Sequence, residues 1–521
     1  MRGRRGACLL AILGTLCVGC GGSSGSSHQR DAGVQFLPAP PPTPGDSGFF
    51  TLGCLDIPSE PATGGDCVRD ADCAGDAVCG LATSPAPVDD ARAVLTCGAR
   101  ASGAPPGSAC EVGADCDRGM CVVAGTCVAA CATDADCGAD DWCRPVHIEP
   151  TSATTARAYA CVPRFTLPAD VQVEAETDLT MAIAGPSGSV DGQLSPTTVD
   201  FPGGDGLYIA EAGCDATAIA YALETKDAPP VKLFDLLALT SGDTSDRLNP
   251  IGVIGSPSTL LIPNGPLSTP SDAGYTVSFA VDERTPVQLH VLRGVRDGGK
   301  LDLDLFYVGA AGLAPTRGTP PPAIAQALET FRRIYARAGI EVGQVRQHVV
   351  RGVLALRLGR ITGSADQGFP GLPELYSLSA GAPGPSVSVF LADAIDDVAG
   401  ISGGVPGPLG ENATGISGVA ISTQIHIANG FDLGETMAHE VGHYLGLFHT
   451  TESGGEVLEA LPDTPECPAS RDANRDGLLS VTECVGFGAD NLMFWQLSPN
   501  QERLTPDQLH VLAGALILTK P

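Results

Sequence analysis

Apolar and polar positions along the chain alternate mostly in short runs, with only a few helical stretches between them. Gly206–Ala210, Thr259–Ile262, Tyr275–Val281 and Val287–Leu292 alternate or run apolar between clusters of Gly, Pro, Asp and Ser, which predicts short strands and, from their spacing, a β-sandwich. Leu301–Val308 alternates like a strand. The Pro-rich Thr319–Pro322 then leads into a helix whose Ile324, Leu328, Phe331 and Tyr335 share one face, with Gly339 as its stop. Val387–Leu391 and Val419–Ser422 read as further strands, the second as the edge strand along which an extended peptide would pair. Thr505-Pro506-Asp507-Gln508 has the residue types of a helix N-terminus, with Thr as N-cap, Pro at N1 and Gln at N3.

The first residues follow a different pattern. Arg2, Arg4 and Arg5 precede an apolar run from Ala7 to Val18, too short to span a bilayer and of the length of a secretory signal. Leu16-Cys17-Val18-Gly19-Cys20 resembles a bacterial lipobox, in which Cys20 would be lipidated after cleavage; an ordinary signal peptide cut nearby is the alternative. Gly21–Gly48 is rich in Gly, Ser and Pro, as a flexible tether is. The expected location is therefore outside the cytoplasm, on the outer membrane or surface of a bacterium.

From Cys54 to Cys161 there are thirteen cysteines, which in an exported chain predicts a disulfide framework. Three four-cysteine units repeat: Cys67, Cys73, Cys79, Cys97; Cys110, Cys116, Cys121, Cys127; and Cys131, Cys137, Cys143, Cys161. Each has the cysteines for two bridges. Zinc ribbons are the other reading, but the C-x2-C pairs of such sites are absent. Units of this size bury little core alone, so a stalk or partner-binding arm is expected. Cys54 and Cys214 are left over by parity. Either they bond to each other, or Cys214 is a thiolate that occupies a metal site.

Composition narrows the partners. The 521 residues are 43% hydrophobic, and 60 acidic residues against 30 basic ones give a net charge of −30. This excludes nucleic acid and electrostatic attraction to anionic lipid, and leaves a lipid anchor as the expected contact with a membrane.

The candidate chemistry lies in His439–His449, HEVGHYLGLFH. Residues four apart share a helical face, so His439 and His443 can present two imidazoles to one point, with Glu440 beside them. Gly446 readily takes the left-handed conformation that ends a helix, so the chain can bend and return His449 as a third ligand. Three imidazoles leave the fourth tetrahedral position to a water, the arrangement of a catalytic zinc site, and Glu440 is placed to act as general base in attack on a peptide carbonyl. His426 and His510 are lone residues and are expected to be structural or solvent-facing.

With Met493 in Asn491-Leu492-Met493-Phe494-Trp495 as Met-turn, this long motif resembles that of the metzincin zinc peptidases. Asp463-Thr464-Pro465, the pair Cys467 and Cys484, and the N-x-M turn look most like the pappalysin group. The resemblance implies an α/β (α+β) catalytic domain, one zinc, a protein or peptide substrate and a Cys467–Cys484 bridge. Trp495 departs from it, since the family usually has Tyr there as a phenol that helps stabilise the intermediate. Glu502 is a candidate for an acidic wall favouring basic substrates. Separately, Asp472, Asn474, Asp476, Leu478 and Glu483 fit the EF-hand loop pattern, with a backbone carbonyl from Leu478, and predict a structural calcium; an acidic surface loop is the bland reading.

The expected organisation is multidomain: signal peptide 1–19, tether 20–50, disulfide-rich modules 51–163, β-sandwich accessory or pro-domain 164–298, and a metzincin-like catalytic domain 299–521. The expected activity is zinc endopeptidase; the alternative is an inactive surface-binding protein acting through its cysteine-rich modules.

Overall fold

The computed structural model describes residues 61–521 apart from 83–88, 181–194, 213–217, 236–252, 255–257, 267–269, 282–285, 311, 316–318, 365–367, 430–431, 456, 458 and 460. The readings placed on the signal peptide, Cys20, the tether, Cys54 and Cys214 lie outside the described residues.

Each cysteine unit closes the same way, first cysteine to third and second to fourth: Cys67–Cys79 and Cys73–Cys97, Cys110–Cys121 and Cys116–Cys127, Cys131–Cys143 and Cys137–Cys161. A repeated aspartate shapes the first loop of each unit. Asp72, Asp115 and Asp136 each accept bonds from the backbone N–H groups three and four residues earlier, which caps a short 3-10 turn before the second cysteine. The third unit continues into a long antiparallel hairpin, β1 (Asp141–Thr151) and β2 (Thr154–Pro163).

Two antiparallel sheets follow. One runs β7 (Lys232–Asp235), β6 (Ala218–Thr225), β10 (Tyr275–Val281), β4 (Ser195–Phe201), with β8 (Val253–Ile254) also on β6. The other runs β9 (Ser258–Ile262), β5 (Gly206–Ala212), β11 (Pro286–Arg293), β3 (Gln172–Thr180). Alternation along β5 explains its apolar run Gly206–Ala210. Tyr208 stacks on Phe201 and meets Tyr275 edge-on, across to the first sheet, while Leu207 and Ile209 on the opposite face enter the core of the C-terminal domain.

The C-terminal sheet has the order β13 (Ile340–Val349), β12 (Gly299–Val308), β14 (Val387–Ala392), β16 (Val419–Ser422), β15 (Gly400–Ser402). All pairings are parallel except that of β15 with β16. Helix α1 (Pro322–Tyr335) joins β12 to β13, as a parallel connection requires, and runs on into a 3-10 turn (Ala336–Ala338) that Gly339 ends at φ +69°. The edge reading needs correction: Val419–Ser422 pairs on both sides and is interior, and the edge beside it is β15. Because β15 is only three residues long and lies in a Gly-rich stretch, no local alternation revealed it.

The two faces of this sheet serve two cores. Leu301, Leu303, Leu305, Val389, Leu391 and Ile421 face α1 and α4 (Leu433–Tyr444). On the other face Phe306, Val308, Phe390 and Ala420 pack with α2 (Gly352–Leu358) and α3 (Leu372–Ser377), and with Trp142, Val146 and Ile148 of β1. Arg351 pairs with Glu149 at 3.2 Å, Arg357 with Asp90 at 3.1 Å, and His147 with Glu374 at 3.1 Å across this contact. The described part of the expected stalk or partner-binding arm therefore lies against the sheet rather than standing apart from it. Units too small to bury a core alone complete one by lying on the sheet.

Candidate active site

Helix α4 is capped by Asp432, whose side chain accepts from the N–H of Gly434 and from the hydroxyl of Thr330 on α1. The two helices cross closely: a Cβ at Gly434 would lie 2.3 Å from the carbonyl oxygen of Ala327. Tyr335 also donates to the carbonyl of Ala438 at 3.1 Å. All twelve residues of α4 are buried, so the helix has no solvent face and its position is set from every side.

The chain leaves α4 through Gly446, at φ +115°, with the N–H of Leu447 bonded back to the carbonyl of Gly442. This bend returns His449. One ring nitrogen from each of His439, His443 and His449 lies within 4.8 Å of the others, and all three residues are at most 2% exposed.

The other nitrogen of each ring has an acceptor. Nδ1 of His439 donates to the carbonyl of Leu492 at 2.5 Å, Nδ1 of His443 to that of Leu447 at 2.6 Å, and Nδ1 of His449 to the carboxylate of Glu452 at 3.1 Å. These bonds favour the tautomer that leaves Nε2 with its lone pair, so the three residues fit a zinc ion. Sequence reasoning missed Glu452; its only signal was a carboxylate three residues after the last histidine.

The turn that carries Met493 lies beneath the helix. Met493 is fully buried, and a Cβ at Gly442 would meet its Sδ at 3.0 Å. The side chain of Asn491 accepts from the N–H of Met493 and pairs with Gln508 of α5 (Pro506–Ala513), the same Gln508 that completes the capping box with Thr505. Trp495 turns the other way. Its indole lies in a small core with Cys467, Cys484 and Leu479, away from the histidines.

Glu440 is 1% exposed and its carboxylate lies over Gly400 of β15. The N–H of Ser422 bonds to the carbonyl of Ala399 and that of Gly403 to the carbonyl of Gly418; by alternation, Gly400 and Ser402 turn their own N–H and C=O away from β16, to the outer side of β15.

Cys467 and Cys484 are bridged. Between them Asp472 accepts from the N–H groups of Arg475 and Gly477, Asp476 from that of Leu478, and Glu483 from those of Ala473, Asn474 and Ser480. The Ser480 hydroxyl, with these amides, holds the Glu483 carboxyl down at about 2. The calcium-pattern side chains thus gather around one loop, at the surface and apart from the buried histidines. Glu502 is bonded to Arg333 and Arg337 of the α1 segment, so its charge is balanced and does not form an acidic wall. His510 is exposed and His426 is buried, and neither joins the histidine cluster.

No family model matches the chain. Similar proteins include an extracellular metalloprotease of Colletotrichum graminicola, 32% identical over 82 residues, which are 14% of this chain and 29% of that protein. An extracellular metalloprotease of Arthroderma benhamiae is 32% identical over 95 residues, 16% of this chain and 31% of its own length. The matches thus span under a third of these relatives. Among solved structures, metalloproteinase-II of Bacteroides fragilis aligns over 63% of this chain and 88% of its own, at 10% identity and a TM-score of 0.24.

Proposed function

We propose that the chain is an exported zinc endopeptidase, with His439, His443 and His449 as metal ligands and Glu440 as general base. The observation that carries this reading is the convergence of three imidazoles, each oriented through Nδ1, beside a buried carboxylate. When bound there, zinc supplies Lewis acidity and lowers the pKa of a coordinated water to about 7.

The remaining work falls to the chain. Leu492, Leu447 and Glu452 fix the tautomers. Glu440 takes the proton of the attacking water and delivers it to the leaving amine. The outward backbone groups of Gly400 and Ser402 offer an extended peptide a strand to pair with. The relatives named as extracellular metalloproteases agree with both activity and export. Within the metzincins the reading narrows to the pappalysin group on Asp463-Thr464-Pro465, Cys467 with Cys484, and Asn491-Leu492-Met493.

Protein stripped of metal and reloaded with one zinc should cleave unfolded protein. Glu440→Ala should keep the metal and lose turnover by about 10²- to 10⁴-fold. Cleavage by this variant at the parental rate refutes the assignment.

Two further parts of the reading have their own tests. Cys20 is proposed as a lipidated anchor, and Cys20→Ser should abolish incorporation of labelled fatty acid; equal membrane association of both forms counts against it. Asp472, Asn474, Asp476, Leu478 and Glu483 are proposed to bind a structural calcium, tested below.

A further inference from the structure

We propose that Gly400 is a positioning residue for Glu440: the missing side chain at this point of the edge strand is the space that holds the carboxylate of the general base. The inference rests on the reading of Glu440 given above. A Cβ built on Gly400 would lie 2.3 Å from Oε1, 2.6 Å from Cγ and 2.7 Å from Cδ of Glu440, all well inside van der Waals contact. The backbone does not itself demand glycine here, because Gly400 lies outside the positive-φ region that L-residues avoid. The carboxylate is what excludes a side chain.

The strand cannot yield in its place. Ile401 is buried in the core behind the sheet, and its carbonyl accepts the hydroxyl of Tyr376 at 3.0 Å. Bonds from Ser422 to Ala399 and from Gly403 to Gly418 tie both ends of β15 to β16. A methyl on residue 400 would therefore displace the side chain of Glu440 from Cγ outward rather than the backbone. The same glycine turns its N–H and C=O away from β16, to the outer side of the strand. Misplacing a reacting group by about 1 Å costs on the order of 100-fold in rate.

The test uses four full-length proteins: parent, Gly400→Ala, Glu440→Ala and the double variant. Zinc-loaded Gly400→Ala should hold one zinc and keep KM within about twofold, while kcat falls by roughly 100-fold. A second readout needs no metal. In thermal unfolding of the metal-free proteins, Gly400→Ala should lower Tm by several degrees when Glu440 is present and by about a degree or less in the Glu440→Ala background, where the methyl has room. Parental kcat in Gly400→Ala, or the same Tm shift in both backgrounds, overturns the proposal. Should the zinc-loaded parent cleave nothing, the peptidase reading fails, and the unfolding cycle still decides whether Gly400 places Glu440.

Discussion

The indole N–H of Trp495 donates to the carbonyl oxygen of Leu479 at 2.7 Å, and this bond fastens the turn that carries Met493 to the loop closed by Cys467 and Cys484. Leu479 in turn donates to Ser453, and Cys467 to the hydroxyl of Thr451, just past the third histidine. The disulfide loop, the turn that carries Met493 and the segment after His449 are thus one connected unit. The indole thus braces the turn from the side away from the histidines.

Breaking the bridge should therefore reach the histidines. The two cysteines are 17 residues apart, and closing a loop of that size stabilises by about 3 kcal/mol in the chain-entropy model. The double variant Cys467→Ser, Cys484→Ser should melt at lower temperature and cleave more slowly, with its zinc still bound. Scanning calorimetry with metal analysis checks this; an unchanged melting point would show that the packing around Trp495 holds the loop alone.

Calcium, if the loop binds it, should act through the same connection. The ionised Glu483 and the turn of positive φ at Gly477 suit an oxygen-ligand loop. At about 100 times its Kd, calcium should stabilise the zinc-loaded protein by about 2.7 kcal/mol, and Asp476→Ala should lose that response. Absence of binding by titration at millimolar calcium would leave an acidic loop and nothing more.

The docked cysteine units make a prediction about cooperativity. Ile148 of β1 is fully buried against the back of the C-terminal sheet. Ile148→Ala should cost about 2–5 kcal/mol and lower the melting of the C-terminal domain in step with that of the modules. Two separate transitions, with the C-terminal one unmoved, would mean that the units behave as an independent arm after all.

Glu435, in the first turn of α4, makes stability depend on pH. Burial first, then the nearby charges of Asp432 and Glu502, push its carboxyl up to about 7. A carboxyl held higher in the folded state than in the unfolded one binds its proton more tightly when folded, so its contribution is full below about pH 4.5 and is lost as pH rises through about 7. Glu435→Gln, which keeps an acceptor for the N–H of Asn500, should match the parent at pH 4 and exceed it in Tm at pH 8. Parallel Tm curves across that range would exclude the assignment.

What the sequence determined by itself is local. The spacing of His439, His443, Gly446 and His449 follows from helical period and the freedom of glycine, so the cluster was legible before any fold. The strands at Tyr275–Val281 and Val419–Ser422, the helix end at Gly339 and the cap at Thr505 follow likewise from alternation, φ and hydrogen-bonding capacity within a few residues. Only the tertiary structure decided which strand lies at the edge, where the modules rest, what orients His439 and why residue 400 is glycine. Each of these depends on residues tens to hundreds of positions apart, as Leu492 is from His439 or Trp142 from Phe390, and a hydrogen bond or a packed face between such residues leaves no periodic trace in either segment.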